Sequence, residues 1–374
     1  MNKFRVLFMV LISSSMLAQQ KRARDYGIEI GVLEPGKNNA ITDVKGVKVG
    51  HTTLIEGDNI RTGVTAIIPH EDNIYQNKVP AAIYIGNGYG KLAGYSQVKE
   101  LGNIETPVIL TNTLSVAAAT EALISYTLEN PENKEVKSVN SVVGETNDGW
   151  LNDIRGRHVH QKHVLEALQN ASPGIVQEGN VGAGTGTVCF EYKGGIGTAS
   201  RVLPKSVGGF TLGVLVQTNF GGVLEINGVP IDKELDRLSK YSQYSADGSC
   251  MMVVITDAPL DSRNLERIAK RAMLGLAKTG GIASNGSGDF VIAMSTAKEN
   301  LVPNKSESSF NALKVLRNEE VTPLFQATIE ATEEAIINSL FTAETMTGHE
   351  GHTVPSIPTN TIIDAMKKFN KLKK

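Results

Sequence analysis

Short apolar runs broken by Gly, Asp and Pro dominate the first third of the chain. The text from Ala40 to His70 reads as successive strands, and residues 79–86, 107–111 and 139–143 continue the pattern. Residues 194–202, 210–217, 250–256 and 290–294 repeat it in the second half. The run Cys250-Met251-Met252-Val253-Val254-Ile255 is apolar at every position, which marks a fully buried strand. Helical periodicity is confined to a few segments. Residues 116–128 are a run of Ala, Glu and Leu without Gly or Pro, and residues 158–170 read as a second helix. The strongest signal is Leu265, Ile268, Ala269, Ala272, Met273 and Leu276, which form one apolar stripe capped by Asp261 or Ser262 and stopped at Gly280-Gly281. A last long helix starts at Thr322-Pro323 and runs to about Phe341.

The interruptions of this pattern carry the chemistry. Residues 232–247 hold charges and serines with almost no apolar periodicity and read as an exposed linker. It ends at Asp247-Gly248, and Ser249 stands where the loop enters the buried strand, a position that suits a nucleophile and equally an ordinary Asp-Gly-Ser turn. Residues 145–153 gather acids and amides around Trp150, the only tryptophan, either as a binding loop or as a turn with a core tryptophan. Asn219 closes a strand among glycines. His158, His160 and His163 have no acidic or thiol partner in sequence to complete a metal set. Residues 180–187 are glycine-rich but lack both dinucleotide-loop spacing and the phosphate-loop lysine, and they precede a strand, so they are not a phosphate cradle.

Composition narrows the classes. With 374 residues, 41% hydrophobic and 20% charged, the chain can bury a large core in one or two domains, and 37 glycines favour many turns and close backbone approaches. Residues 1–18 read as a secretory signal: Lys3 and Arg5, an apolar centre at 6–12, then small residues before a mature start near Gln19. The expected location is therefore periplasmic or secreted, without stable membrane association once processed. Loss of Lys3 and Arg5 leaves 35 of the 37 basic residues against 39 acidic ones, a balance that does not suggest nucleic acid as a partner. Cys189 and Cys250 are expected as two free, inert thiols.

Taken together, several motifs resemble one family: the self-cleaving serine aminopeptidases that include the L-aminopeptidase/D-amidase-esterase DmpA and the bacterial β-peptidyl aminopeptidases. They are Asn39-Ala40-Ile41-Thr42-Asp43-Val44 with Val49-Gly50-His51-Thr52-Thr53, Glu145-Thr146-Asn147-Asp148-Gly149, Gly182-Ala183-Gly184-Thr185-Gly186, the text from Val214 to Gly221, Gly248-Ser249, Thr256-Asp257-Ala258-Pro259-Leu260 and Asn285-Gly286-Ser287-Gly288-Asp289. Each is weak alone, but their order from Asn39 to Asp289 makes chance similarity improbable. The resemblance implies an α+β fold, a four-layer αββα sandwich connected like ornithine acetyltransferase. It implies one domain made of two chains after self-cleavage between Gly248 and Ser249, residues 19–248 and 249–374. Ser249 would be the nucleophile, with its freed α-amine as base, Ser287 its hydrogen-bonding partner and Asp289 the orienting acid. Asn219 would hold the oxyanion, Glu145 the substrate's amino group, and Trp150 would line the substrate site. The implied substrates are small peptides, amides or esters with a free amine, the assembly a tetramer of cleaved pairs, and no cofactor or metal is called for. Two positions depart from the family pattern: Trp150 stands where DmpA-like members have tyrosine, and Asp289 where β-peptidyl members have glutamate. Acyl transfer from the same serine and a non-catalytic binding role are the competing readings.

Overall fold

The computed structural model describes residues 21–236 and 248–373. The signal-like residues 1–18 and positions 237–247 of the linker lie outside them. Among the described residues the nine long strands are β1 Lys48–Glu56, β2 Ile60–Ile68, β3 Asn77–Gly88, β4 Val108–Asn112, β5 Val142–Thr146, β6 Ile196–Val202, β7 Thr211–Asn219, β8 Ser249–Thr256 and β9 Gly288–Ser295. They form two sheets. One has the order β1-β2-β4-β5; the other runs β3-β9-β8-β7-β6, with two-residue strands Asn103–Ile104 and Val302–Pro303 added at β3. The helices used below are α1 Val116–Leu128, α2 Gln161–Gln169, α3 Ser262–Lys278 and α4 Thr322–Phe341.

Strand alternation sorts the core into three layers. Along β8, Met251, Val253 and Ile255 join Leu215, Ile292 and Met294 against Ile67, Val108, Leu110 and Val142 of the other sheet. Cys250, Met252 and Val254 face the opposite way, onto Leu265, Ile268, Ala272 and Leu276 of α3 and Ala331 and Ala335 of α4. The four-stranded sheet turns Val64, Ala66, Ile109 and Val143 to Ala119 and Leu123 of α1 and Val164 and Leu168 of α2. The result is the four-layer αββα sandwich. A strand packed on both faces has no solvated side, which is why β8 is apolar at successive positions.

The helix periods held. α1 spans the expected residues, and Asp261 caps α3 by accepting from the Asn264 N–H at 2.9 Å. The linker reading needs correction at its start: Ile231–Glu234 is a helical turn, and Asp232 is buried, accepting from Leu224 N–H at 2.8 Å. Its charge is spent inside the fold rather than in solvent. Cys189 and Cys250 are free and buried, and burial pushes the Cys189 thiol up to about 12. Among the described residues no helix is long and apolar enough to cross a membrane.

Candidate active site

Four strand ends meet at one end of the larger sheet. Asn219, the last residue of β7, pairs with Ser249, the first of β8; Ser249 pairs with Gly288, the first of β9, and Gly288 with Gly88, the last of β3. Asn219 and Ser249 share the parity of Leu215 and Met251, so both face the smaller sheet.

The Gly248–Ser249 peptide is tightly framed. The Ser249 hydroxyl donates to the Gly248 carbonyl at 2.7 Å. The Gly288 N–H donates to that same carbonyl at 3.0 Å and lies 3.2 Å from Ser249 Oγ. A Cβ on residue 248 would sit 2.0 Å from Asn219 O and 2.7 Å from Phe220 Cα, so only glycine brings the backbone this close. Gly288 is equally constrained, because a Cβ there would be 2.1 Å from Tyr89 O. A hydroxyl is thus held against a carbonyl that a backbone N–H already polarises. The arrangement can shift an acyl group from nitrogen to oxygen.

Flanking Gly288 are Ser287 and Asp289, both buried. Ser287 Oγ and both Asp289 carboxylate oxygens lack hydrogen bonds of normal geometry. Burial pushes the Asp289 carboxyl up to about 6, only partly offset by the nearby Ser287 hydroxyl and Cys250 backbone. Asn219 Oδ1 accepts from Val188 N–H at 3.0 Å, which fixes the amide so that its NH₂ remains as the donor.

A cavity of about 830 Å³ opens at this sheet end, lined among others by Tyr89, Thr113, Glu145, Asn147, Trp150, Asn219, Ser249, Asn285 and Thr353. Glu145 is buried near the end of β5; Thr113 Oγ1 donates to its Oε2, while Lys91 N–H and Nζ reach its Oε1 at 3.1 and 3.2 Å. Trp150 is not a core residue: it is 56% exposed and stacks on His352, ring centroids 3.7 Å apart and planes within 4°. The structure thus brings Ser249, Gly248, Asn219, Glu145 and Trp150 around one cavity, with Ser287 just before β9 and Asp289 on it, both buried outside the cavity lining. His160 and His163 stay apart from it: His163 Nδ1 accepts from the His160 N–H at 3.1 Å, starting α2.

The glycine-rich segment 182–186 is a scaffold under the site. Gln217 Nε2 donates to Ala183 O at 2.9 Å, and the buried Lys193 ammonium donates to Gly184 O at 2.9 Å and Gly194 O at 2.7 Å. Burial lowers the Lys193 ammonium to about 7. Lys91, Thr113, Val188, Lys193 and the Gly288 N–H escape a reading of the sequence. The available hint is the dense Asn87-Gly88-Tyr89-Gly90 turn preceding Lys91.

The same order of motifs exists in known proteins. Residues 39–354 match the family described as Peptidase family S58. The chain belongs to this family, that of DmpA. It is 38% identical over 396 residues to the beta-peptidyl aminopeptidase BapA of Sphingosinicella microcystinivorans, covering 97% of this chain and 96% of that one. Among solved structures, the PH0078 protein of Pyrococcus horikoshii OT3 superposes with a TM-score of 0.87 at 49% identity, covering 94% of this chain and 100% of that one. The L-aminopeptidase D-Ala-esterase/amidase of Ochrobactrum anthropi gives 0.86 at 36% identity, covering 94% and 99%; it is described as a prototype for the serine aminopeptidases and a variant of the Ntn hydrolase fold. The αββα layering of this S58 chain is that fold.

Proposed function

We propose that this S58 peptidase is an exported aminopeptidase that first cuts itself between Gly248 and Ser249 and then removes N-terminal residues, β-amino acids among them, from small peptides, amides or esters. The observation that carries the reading is the Ser249 hydroxyl held against the Gly248 carbonyl at the mouth of a cavity that also holds a buried carboxylate. Its kinship with a beta-peptidyl aminopeptidase at 38% identity supports the substrate class, and residues 1–18 support export.

In the first reaction Ser249 Oγ adds to the Gly248 carbonyl carbon and the C–N bond breaks, leaving an ester and a free α-amine. Water then hydrolyses the ester to a Gly248 carboxylate and restores the hydroxyl. The new amine, with an ordinary pKa of about 8, is the general base for the same residue's hydroxyl near neutral pH. It also supplies the charged donor that Ser287 and Asp289 lack in the uncut chain, and its positive charge draws the Asp289 carboxyl back down toward ionisation.

Hydrolysis repeats the chemistry on a second amide. Ser249 Oγ attacks the substrate carbonyl as its amine takes the proton, the oxyanion is held by the Asn219 amide NH₂, and the leaving amine departs with that proton. Water releases the acyl group. Glu145 anchors the substrate's ammonium through charge-assisted hydrogen bonds, which restricts the enzyme to free N-termini. Amino-acid p-nitroanilides carrying β-Ala, L-Ala and D-Ala test the reading. Hydrolysis of at least the β-Ala compound is expected, with loss of all three in Ser249→Ala; an active Ser249→Ala chain overturns it.

A further inference from the structure

Glu145 does not wait empty for its ligand. The carboxylate is buried, its side chain 5% exposed, and it already has a cation: Lys91 Nζ at 3.2 Å, half exposed and reaching in from the turn after β3. The same ammonium also donates to Thr113 O at 3.2 Å, and the Lys91 backbone N–H holds the same carboxylate oxygen at 3.1 Å. With Thr113 Oγ1 on the other oxygen, three donors occupy a group that offers about four acceptor positions.

A substrate ammonium therefore meets an occupied site. To stay beside Lys91 it must place a second positive charge on one buried carboxylate, where the two ammonium groups repel each other. To take the site it must exchange with Lys91, which leaves the charge around Glu145 unchanged. The exchange has somewhere to go, since Lys91 also lines an adjoining cleft of about 390 Å³ with Ile85, Tyr95 and Asn140. The backbone N–H contact does not depend on the side chain, so Glu145 stays anchored while the ammonium swings away.

We infer that Lys91 is a built-in competitor of the substrate's amino group, a specificity-determining residue that neutralises Glu145 in the resting enzyme and is displaced by an N-terminal ammonium. The inference rests on Glu145 being the amine anchor. Two consequences follow. An N-acylated substrate has no cation to exchange, so it leaves Lys91 in place and finds no anchor. And binding is weaker than a bare carboxylate would give, because each substrate molecule must first displace a tethered rival.

The test is steady-state hydrolysis of β-Ala p-nitroanilide by self-processed Lys91→Met, Lys91→Arg and Glu145→Gln enzymes. Lys91→Met is expected to lower KM at least threefold with kcat within twofold of wild type, whereas Lys91→Arg, which keeps the charge, is expected to retain the wild-type KM or raise it. Glu145→Gln is expected to raise KM tenfold or more. If Glu145→Gln raises KM but Lys91→Met leaves it unchanged or raises it, the Lys91 inference is overturned and the amine anchor stands. If Glu145→Gln leaves KM unchanged, the anchor itself is wrong. Should Lys91→Met fail to fold or process, wild-type enzyme supplies the answer by amine-selective acetylation and peptide mass analysis. Saturating β-alanine amide is expected to raise Lys91 labelling at least twofold relative to the other lysines of the same sample, and an unchanged or reduced ratio overturns the displacement.

Discussion

Arg201 and Asp289 are both buried on the larger sheet, but their surroundings differ in kind. Every oxygen of the two carboxylates that Arg201 pairs with is itself paired. Glu334 accepts from Arg24, Asn39 and Arg201, and Glu330 accepts from the Val32 and Leu33 N–H groups, Gln326 and Arg201. Burial alone would raise both glutamates, yet for Glu334 the hydrogen bonds and charges of Arg24 and Arg201 outweigh it, and both pKa values fall below the usual range. At the head of β9 the balance is reversed: Asp289 and Ser287 have no hydrogen bonds of normal geometry, and desolvation wins. A closed cluster ties the chain together, here joining the N-terminal segment to α4. At the open one Asp289 has only the weakly placed Ser287 hydroxyl and Cys250 backbone to offset its burial, and the proposed Ser249 ammonium is a group that can add a charged donor.

The two clusters should respond to mutation with opposite signs. The largest effect is expected at the closed cluster. Glu334→Ala leaves Arg24 and Arg201 short of a partner and should cost about 3–5 kcal/mol in denaturant unfolding of the uncut Ser249→Ala chain at pH 7. Because the Glu334 pKa is depressed, its contribution is present above about 4.5 and is lost as pH falls through the folded value, so the deficit should shrink in acid. At the open cluster's end of the sheet, Asn219→Ala should lower kcat by about 100- to 1,000-fold, about 3 kcal/mol of barrier, and cost only about 1 kcal/mol in unfolding for the acceptor that the Val188 N–H loses. The smallest effect distinguishes the two clusters most sharply. The folded Asp289 pKa is raised from 3.8 to about 6, so the uncut chain loses stability as pH rises through that window. Asp289→Asn in the Ser249→Ala chain should therefore stabilise it at pH 7.5, by up to about 3 kcal/mol, and have no effect near pH 4. A destabilising Asp289→Asn at pH 7.5 would make both clusters alike and remove the contrast between them.

Much of this was readable from apolar periodicity, because helices are set by their own side chains. α1, α3 and α4 lie where the pattern puts them. Strand ends were less legible. β5 covers Val142–Thr146 rather than 139–143, and β9 begins at Gly288 rather than Phe290, so Glu145 and Asp289 belong to strands although they read as loop residues. Gly, Glu and Asp are all depleted in strands, so neither Gly144-Glu145 nor Gly288-Asp289 signals one; neighbouring strands impose the conformation, and a linear reading does not see neighbours. The same holds for Lys91, whose partner is 54 residues away, and for Trp150, whose exposed ring is held by His352 across 202 residues. Ser249 was legible because its junction, linker to buried strand, is local. What made it more than a turn, the Gly288 N–H and the glycine-only approach to Asn219, is not.

In the proposed function the Gly248–Ser249 bond breaks before the enzyme works. Intact-mass analysis of the purified wild-type and Ser249→Ala proteins under denaturing conditions tests it directly. The wild type should yield two chains, the smaller one running from Ser249 to Lys374, 126 residues or about one third of the 40.1 kDa total, with serine at its N-terminus. The Ser249→Ala protein should remain one chain. A wild-type protein that hydrolyses β-Ala p-nitroanilide as a single intact chain, or is cut at another bond, would contradict the account.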